Sequence, residues 1–358
     1  MPPYPDSPLR HPFAQVLPEP GRTLEVAPGV RWLRMPLPFA LDHINLWLLR
    51  DEIGGQHGWT IVDCGVDQPA TRSAWEQVFA QELQALPVLR VLVTHMHPDH
   101  IGLAHWLTER WSSPGRPCRL WISAADWNAA CLASRGGTGP SGEQAADFYA
   151  LHGLADPVTL ERVRAQRGDY VSLVPAVPST HRRLMDGQVL RIGGHDWTCL
   201  AGHGHAPEHI ALHCPALGVL IAGDMVLPRI TTNISVWGHE PEGDPLTLYL
   251  RSLAAMRALP AGTLVLPSHG TPFTGLHERI AQLEAHHAER LEVVQQACAR
   301  APQSAFELLP LLFRRRLDGQ QVLFALGEAV AHLHCLLGRK VVRPQPGSDG
   351  VLRWGSVG

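Results

Sequence analysis

Along this chain the period of the apolar positions changes repeatedly, and each change marks an element. Short runs of strand character come first, at Val30–Met35, His43–Leu49 and Trp59–Asp63, with Gly54-Gly55 as a turn between the last two. Trp75, Val78, Phe79 and Leu83 then recur at helical spacing over residues 69–84. A buried strand is expected at Val88–Val93, followed by a helix that starts at Pro98 or Asp99 and covers Ile101–Arg110. Arg119–Ile122 reads as a strand and residues 124–134 as a helix. The stretch 135–180 breaks this rhythm. It opens on the glycine-rich Arg135–Gly142 and continues as weakly amphipathic helices to about Tyr170, as expected of a helical cap inserted over the strands.

Strands resume at Gln188–Ile192, Trp197–Leu200, His209–Cys214 and Gly218–Ala222. Asp244-Pro245 places a capping residue before a proline at the first helical position, predicting a helix over 245–258, and Thr263–Pro267 is one more strand. Beyond it Leu276, Ile280, Leu283, His287, Leu291 and Val294 keep helical spacing, and Ser304–Glu307 forms a capping box before a second helix. A third helix over 320–337 and a ribbon from Arg339–Arg343 to Val351–Trp354 complete a helix–helix–helix–hairpin order, which is a winged-helix pattern. The expected organisation is a proline-rich arm over 1–22, a catalytic domain over 23–275 and a small helical domain over 276–358.

Composition narrows the class. With 358 residues, 45% hydrophobic and 18% charged, the chain has material for a sizeable core and is not a disordered one. A formal charge of −3 gives no general attraction to nucleic acid or membranes. No run of 18 consecutive apolar residues predicts a membrane helix, and the N-terminus lacks the pattern of a signal peptide, so a cytoplasmic protein without a membrane partner is expected. Seven scattered cysteines, none in a CxxC pair, argue against a disulfide framework or a thiolate metal site. The 21 histidines against 4 tyrosines direct attention to metal or proton chemistry.

Four motifs concentrate that chemistry, each at the end of a strand: His95-Met96-His97-Pro98-Asp99-His100, Gly202–His209, Gly223-Asp224, and Pro267-Ser268-His269-Gly270. Imidazole and carboxylate are the donors of borderline cations such as zinc. His95 and His97 can point to one side of a strand end, and Asp99 and His100 to a neighbouring position, so one motif begins two adjacent sites. His205, Asp224 and His269 supply what is missing, and a carboxylate such as Asp224 can bridge two cations.

This set resembles the metallo-β-lactamase superfamily, whose signature is HxHxDH, over roughly residues 24–275. The resemblance implies an α+β fold, a four-layer αβ/βα sandwich with a dinuclear metal site between two mixed sheets. It implies that His95, His97 and His205 hold one cation, that Asp99, His100 and His269 hold a second, and that Asp224 bridges them. Asp63 matches a supporting acidic position of the family. The family pattern GHxPxH selects His205 over His203 and gives His209 a supporting role. Asp224 stands where true β-lactamases of the family have cysteine, so the ligand set looks like that of the glyoxalase II, lactonase and nuclease members. Residues 290–350, through Gly327–Leu333, resemble the winged-helix extension of the β-lactamase-like-protein-2 branch, one member of which is an endoribonuclease.

The expected cofactor is therefore two divalent cations, zinc first, with iron or manganese as alternatives sharing the same ligands. The expected reaction is hydrolysis of a small-molecule carbonyl ester, thioester or lactone by a hydroxide generated at that site, with Asp99 both ligating and acting as catalytic group. An endoribonuclease or phosphodiesterase acting on single-stranded RNA is the alternative, for which Arg314-Arg315-Arg316 and Arg339-Lys340 are the supporting residues. A homodimer is compatible with the sequence. Arg183, in the cap, and Arg229, five residues after Asp224, are candidate clamps for a substrate carboxylate or phosphate, and Asn233 is a candidate donor to a developing oxyanion. His181, His195, His213, His286, His287, His332 and His334 lack partner ligands in sequence and are expected to be surface or helix-face histidines. Trp127, Tyr149 and Tyr170 are expected to pack in the core rather than line a pocket.

Overall fold

The structure is a computed structural model that describes residues 9–39, 41–136, 141–166, 170–314 and 316–357. The first sheet has seven strands in sequence order: β1 (Leu24–Ala27), β2 (Val30–Pro36), β3 (His43–Ile53), β4 (Gln56–Val62), β5 (Val88–Leu92), β6 (Arg119–Ser123) and β7 (His181–Leu184). β1 to β4 form an antiparallel meander, and β4 to β7 run parallel. Gly54 and Gly55, with φ of 59° and 79°, make the two-residue turn that lets β3 run on to Ile53 and pair fully with β4. The parallel connections carry α1 (Pro69–Gln81), α2 (Pro98–Ile101), α3 (Ala104–Trp111), α4 (Ala124–Ala133), and, over the expected cap, α5 (Glu143–Leu151), α6 (Pro157–Ala165) and α7 (Tyr170–Leu173).

The second sheet contains β8 (Val189–Ile192), β9 (His195–Gly202), β10 (His209–Cys214), β11 (Val219–Gly223) and, after α8 (Pro245–Met256), β12 (Leu264–Pro267). β8 to β11 are antiparallel and β12 is parallel to β11. The chain ends in α9 (Leu276–Arg300), α10 (Ala305–Leu312), α11 (Gly319–Gly338) and the antiparallel ribbon β13 (Val342–Pro346) and β14 (Leu352–Ser356). The C-terminal element order is the expected one.

Period-two alternation with both faces apolar builds the layers. In β3, Leu46 and Leu48 face outward against α1 and α3, while Trp47 and Leu49 face the second sheet. In β11, Val219 and Ile221 return that contact, while Leu220 and Ala222 face α8 and the C-terminal helices. Three apolar layers result: helix on sheet, sheet on sheet, sheet on helix. This is the four-layer sandwich expected from the sequence. Between the sheets a buried ion pair, Arg90 to Asp51 at 2.7 Å, also reaches the Arg191 carbonyl at 2.8 Å.

Two expectations need correction. The helix foreseen from Pro98 to Arg110 is broken at Gly102-Leu103, because the Leu103 amide donates to the Gly65 carbonyl at 3.1 Å instead of continuing the helix. Arg183 is not in the cap. It lies on β7, an edge strand missed in sequence because His181-Arg182-Arg183-Leu184 has a single buried apolar residue and so no readable period. Among the described residues one helix, α11, contains an 18-residue window of mean hydropathy 1.3, long and apolar enough to cross a membrane by composition. Two-thirds of that window (67%) is buried inside the protein, as in a core helix.

Candidate metal centre

The four parallel strands of the first sheet and the parallel pair of the second end on one rim, and the functional side chains follow those ends. Asp63 follows β4, His95 follows β5, Asp126 follows β6, Asp224 follows β11 and His269 follows β12.

Three imidazoles converge first. His95 Nε2 lies 2.9 Å from His97 Nδ1, His97 Nδ1 lies 3.1 Å from His205 Nε2, and His205 Nε2 lies 3.2 Å from His95 Nε2. One face of a tetrahedral site with metal–nitrogen bonds of about 2.0–2.1 Å has edges of roughly 3.3 Å, close to this triangle. Asp99, His100 and His269 form a second cluster, with His269 Nε2 3.4 Å and His100 Nε2 3.7 Å from Asp99 Oδ2. Asp224 spans both. Its Oδ2 is 3.3 Å from His205 Nε2, and its Oδ1 is 3.6 Å from His100 Nε2 and 3.5 Å from His269 Nε2. His100 Nε2 and Asp224 Oδ1 are buried without a hydrogen-bond partner. Two orphaned polar atoms facing each other at a buried site are what a cation would satisfy, and the imidazole–carboxylate donor set suits one.

Electrostatics divide the cluster. Burial and the neighbouring imidazoles hold His95 well below the usual histidine range and His97 down to about 3, so both present the neutral form that ligates. Burial opposes charge on His269 as well, yet Asp224 and Asp99 outweigh it and raise His269 to about 10. His100 is raised in the same way by Asp99, Asp63 and Asp224. The protons on His100 and His269 are those that a bound cation would displace.

Three of the rings are aimed by a bond on the far side. His205 Nδ1 donates to the Asn233 carbonyl at 2.8 Å, and His269 Nδ1 donates to the His43 carbonyl at 2.9 Å. His100 Nδ1 donates to Asp63 Oδ2 at 2.9 Å. Asp63 also accepts from the Thr94 amide at 2.8 Å and from its hydroxyl at 2.9 Å, and it does so from a left-handed backbone with φ 63°. Aspartate tolerates that region better than most residues. His209 packs over Gly223, where a Cβ would lie 2.0 Å from its Nε2, and that nitrogen accepts from the Asp224 amide at 3.2 Å. Glycine is thus required before Asp224. His203 turns away, with Nδ1 bonded to the Pro207 carbonyl at 2.9 Å.

Several supporting residues have no local sequence signal. His43 accepts from the Gly270 amide at 3.0 Å, 227 residues away. Asn45 donates to the Pro267 and Gly270 carbonyls at 2.8 and 2.9 Å, pinning the His269 loop to the first sheet. Asp126 is fully buried and accepts from the Met96 and Glu208 amides at 2.8 and 2.7 Å, joining two of the motif-bearing loops. In sequence it reads only as an acidic residue in the first turn of a helix capped by Ser123. Tyr170 donates from its hydroxyl to the Met96 carbonyl at 2.6 Å, so the expected cap is tied to the first motif. Tyr149 is buried in the core, and Trp127 donates to the Pro178 carbonyl and stacks on His181.

Of the candidate substrate contacts, Arg229 is exposed beside Pro228, which packs on Gly270 next to His269. Arg183 is exposed on the same rim at the far edge strand. Asn233 serves the site through its main-chain carbonyl, while its side-chain oxygen accepts from Ser235 at 3.0 Å. Arg314 and Arg316 are exposed in the link between α10 and α11, and Arg315 lies outside the described residues.

The chain is similar to known proteins over most of its length. The profile of the metallo-beta-lactamase superfamily matches residues 40–269, and that of the metallo-beta-lactamase-like C-terminal domain matches residues 291–357. "Probable metallo-hydrolase YqjP" of Bacillus subtilis is 25% identical, covering 85% of this chain and 91% of that protein. A "Hydroxyacylglutathione hydrolase" of Chromohalobacter salexigens is 25% identical, covering 82% and 90%. Among solved structures, a beta-lactamase domain protein from Burkholderia ambifaria shares 54% identity over 98% of each chain, with a TM-score of 0.91. A metallo-beta-lactamase family protein from Thermus thermophilus shares 28% identity over 93% of this chain and 100% of that one, with a TM-score of 0.72.

Proposed function

The chain belongs to the metallo-beta-lactamase superfamily and is a metallohydrolase of it, and on that premise we propose that it hydrolyses a carbonyl ester, thioester or lactone of a small molecule. The observation that carries the metal reading is the pair of donor clusters sharing Asp224, with unpartnered His100 Nε2 and Asp224 Oδ1 between them. His95, His97 and His205 would hold one divalent cation, and Asp99, His100 and His269 the second, with Asp224 between. Zinc is the first choice from the nitrogen-rich donor set. When bound, such cations supply Lewis acidity to a water and to the scissile oxygen.

The chain's own groups do the rest. The Asn233, His43 and Asp63 bonds fix which nitrogen of His205, His269 and His100 faces inward. On this proposal Asp99, at the half-buried edge of the cluster, would both hold the second cation and orient the attacking water. Arg229 and Arg183, both exposed, stay the proposed partners of an anionic group of the substrate, and the Asn233 amide nitrogen the proposed donor to the developing oxyanion. A thioester is favoured by the relative named hydroxyacylglutathione hydrolase.

A nuclease reading is kept for one observation, the exposed Arg314 and Arg316. The deciding experiment is metal content by mass spectrometry together with a hydrolysis panel of thioesters, lactones, phosphodiesters and single-stranded RNA. The expected result is two divalent cations per chain, turnover of a thioester or lactone, and a loss of more than about 100-fold in His97→Ala. Activity that survives thorough chelation overturns the metal reading. Turnover of RNA alone, with binding that falls steeply as salt rises, overturns the carbonyl reading.

A further inference from the structure

Residues 231–237, which follow Asp224 and its short turn, form neither helix nor strand. Their course is therefore set by what they touch. The Thr232 hydroxyl donates to the Asp224 carbonyl at 2.5 Å, and the Tyr249 hydroxyl of α8 lies 3.3 Å from it. The Asn233 carbonyl accepts from His205. The Ser235 hydroxyl lies 3.0 Å from Asn233 Oδ1 and 3.3 Å from the Phe324 carbonyl of α11. The Val236 amide donates to the Gly327 carbonyl of the same helix at 3.1 Å, and Trp237 meets Phe324 edge-on at 5.4 Å. On the opposite side Gln144 of α5 donates to the Gly238 carbonyl at 2.9 Å.

Phe324 and Gly327 lie inside a helix, so these carbonyls offer their second lone pairs to the loop. Such an approach needs a helix surface without a side chain. A Cβ at position 327 would stand 2.9 Å from both the Ser235 Cβ and the Val236 oxygen. Glycine inside a helix costs about 1 kcal/mol against alanine, so its presence there marks a close contact rather than a helix preference. Ser235 is 7% exposed and sits between this helix and the residue that aims a candidate metal ligand.

We infer that Ser235 is a positioning residue for His205: by holding Asn233 against the Phe324–Gly327 turn of α11, it fixes the carbonyl that sets the tautomer and direction of the His205 ring. The C-terminal helix thereby tunes the affinity of the His95–His97–His205 subsite without contributing a ligand. Outer partners of metal-binding histidines typically change affinity 10–100-fold when removed. The inference rests on the metal reading above.

Its test is a cobalt(II) titration of the chelator-stripped full chain, followed by visible absorption, for the parent, Ser235→Ala and Gly327→Ala. His205→Ala serves as reference, since the equivalent it abolishes is the one that reports the three-histidine subsite. That equivalent is expected to bind roughly 10-fold more weakly in both variants, with a changed visible spectrum, while the other keeps its affinity. The two variants break the contact from opposite sides, so either one that folds suffices. Parental affinity for both equivalents in a folded variant overturns the inference, even if that variant melts earlier, because lost packing alone leaves the folded site unchanged. A parent that takes up no cobalt overturns the metal reading and this inference with it.

Discussion

At the residue scale, the site is organised by acceptors that do not themselves face a cation. Asp63 is the clearest case, since one carboxylate holds the Thr94 amide, the Thr94 hydroxyl and His100 Nδ1. Asp63→Asn keeps a side chain compatible with the left-handed backbone but removes the charge and one acceptor. Its expected effect is about a 10-fold or greater loss of affinity at the Asp99–His100–His269 subsite, with an unchanged circular dichroism spectrum. An unchanged second dissociation constant would show that His100 is aimed by its surroundings alone. The seven clustered residues could be read from sequence because strand ends are local and each motif is short. The acceptors could not. His43 and His269 lie 226 residues apart, and Asn233 acts through its main-chain oxygen, which side-chain chemistry cannot announce.

At the element scale, the sequence was most readable where a single period ran long enough. The 25-residue α9 and the capping box of α10 follow directly from apolar spacing and from Ser304 with Glu307. β7 and the break at Gly102-Leu103 did not, since a four-residue edge strand carries no period and a helix break made by a distant carbonyl has no local mark. The packing of α9 on α11 also buries histidines expected on the surface or on a helix face, because apolar spacing does not show which face a second helix will cover. His287 and His332 are buried, with His287 Nδ1 3.4 Å from His332 Nε2. Burial, together with the neighbouring imidazoles and Arg290, lowers His287 to about 3, and burial with Arg290 lowers His332 to about 4. His286 is lowered to about 4 by burial and by Arg290. Groups depressed in the fold stabilise it above their ordinary value of 6.5, and that stability is lost as pH falls toward the folded values. Glu328, raised by burial to about 6, works in the opposite direction over a narrower range. Chelated protein is therefore expected to lose thermal stability from pH 7 to 5, with His332→Gln losing less than the parent. A melting temperature flat across that window would exclude the histidine pair as the cause.

At the scale of the whole molecule, the apolar layer outside the second sheet is continuous. Leu220 and Ala222 of β11, Leu246 and Leu253 of α8, and Leu291, Leu308, Leu326 and Leu333 of the C-terminal helices belong to one buried cluster. The sequence suggested a domain boundary near residue 275, and the apolar layer runs across it without a break. One calorimetric transition is expected for the full chain at neutral pH, because neither side can expose its part of that layer without the other. Two resolved transitions would show instead that the C-terminal helices unfold as a separate unit.

The thiols, set aside in the sequence as bystanders, are distributed in a way that makes this measurable from within. Six of the seven are buried and Cys131 is half-exposed. Cys64 and Cys118 lie in the layer outside the first sheet, Cys199 and Cys214 between the sheets, and Cys298 and Cys335 among the C-terminal helices. Burial pushes Cys118 and Cys199 up to about 12 and Cys298 to about 11, which keeps them unreactive while their layer stays closed. A thiol-directed alkylating reagent would thus mark Cys131 first and each remaining pair only when its own layer opens. The natural chain already carries two chemical clocks in every layer, and their relative rates record the order in which the layers come apart.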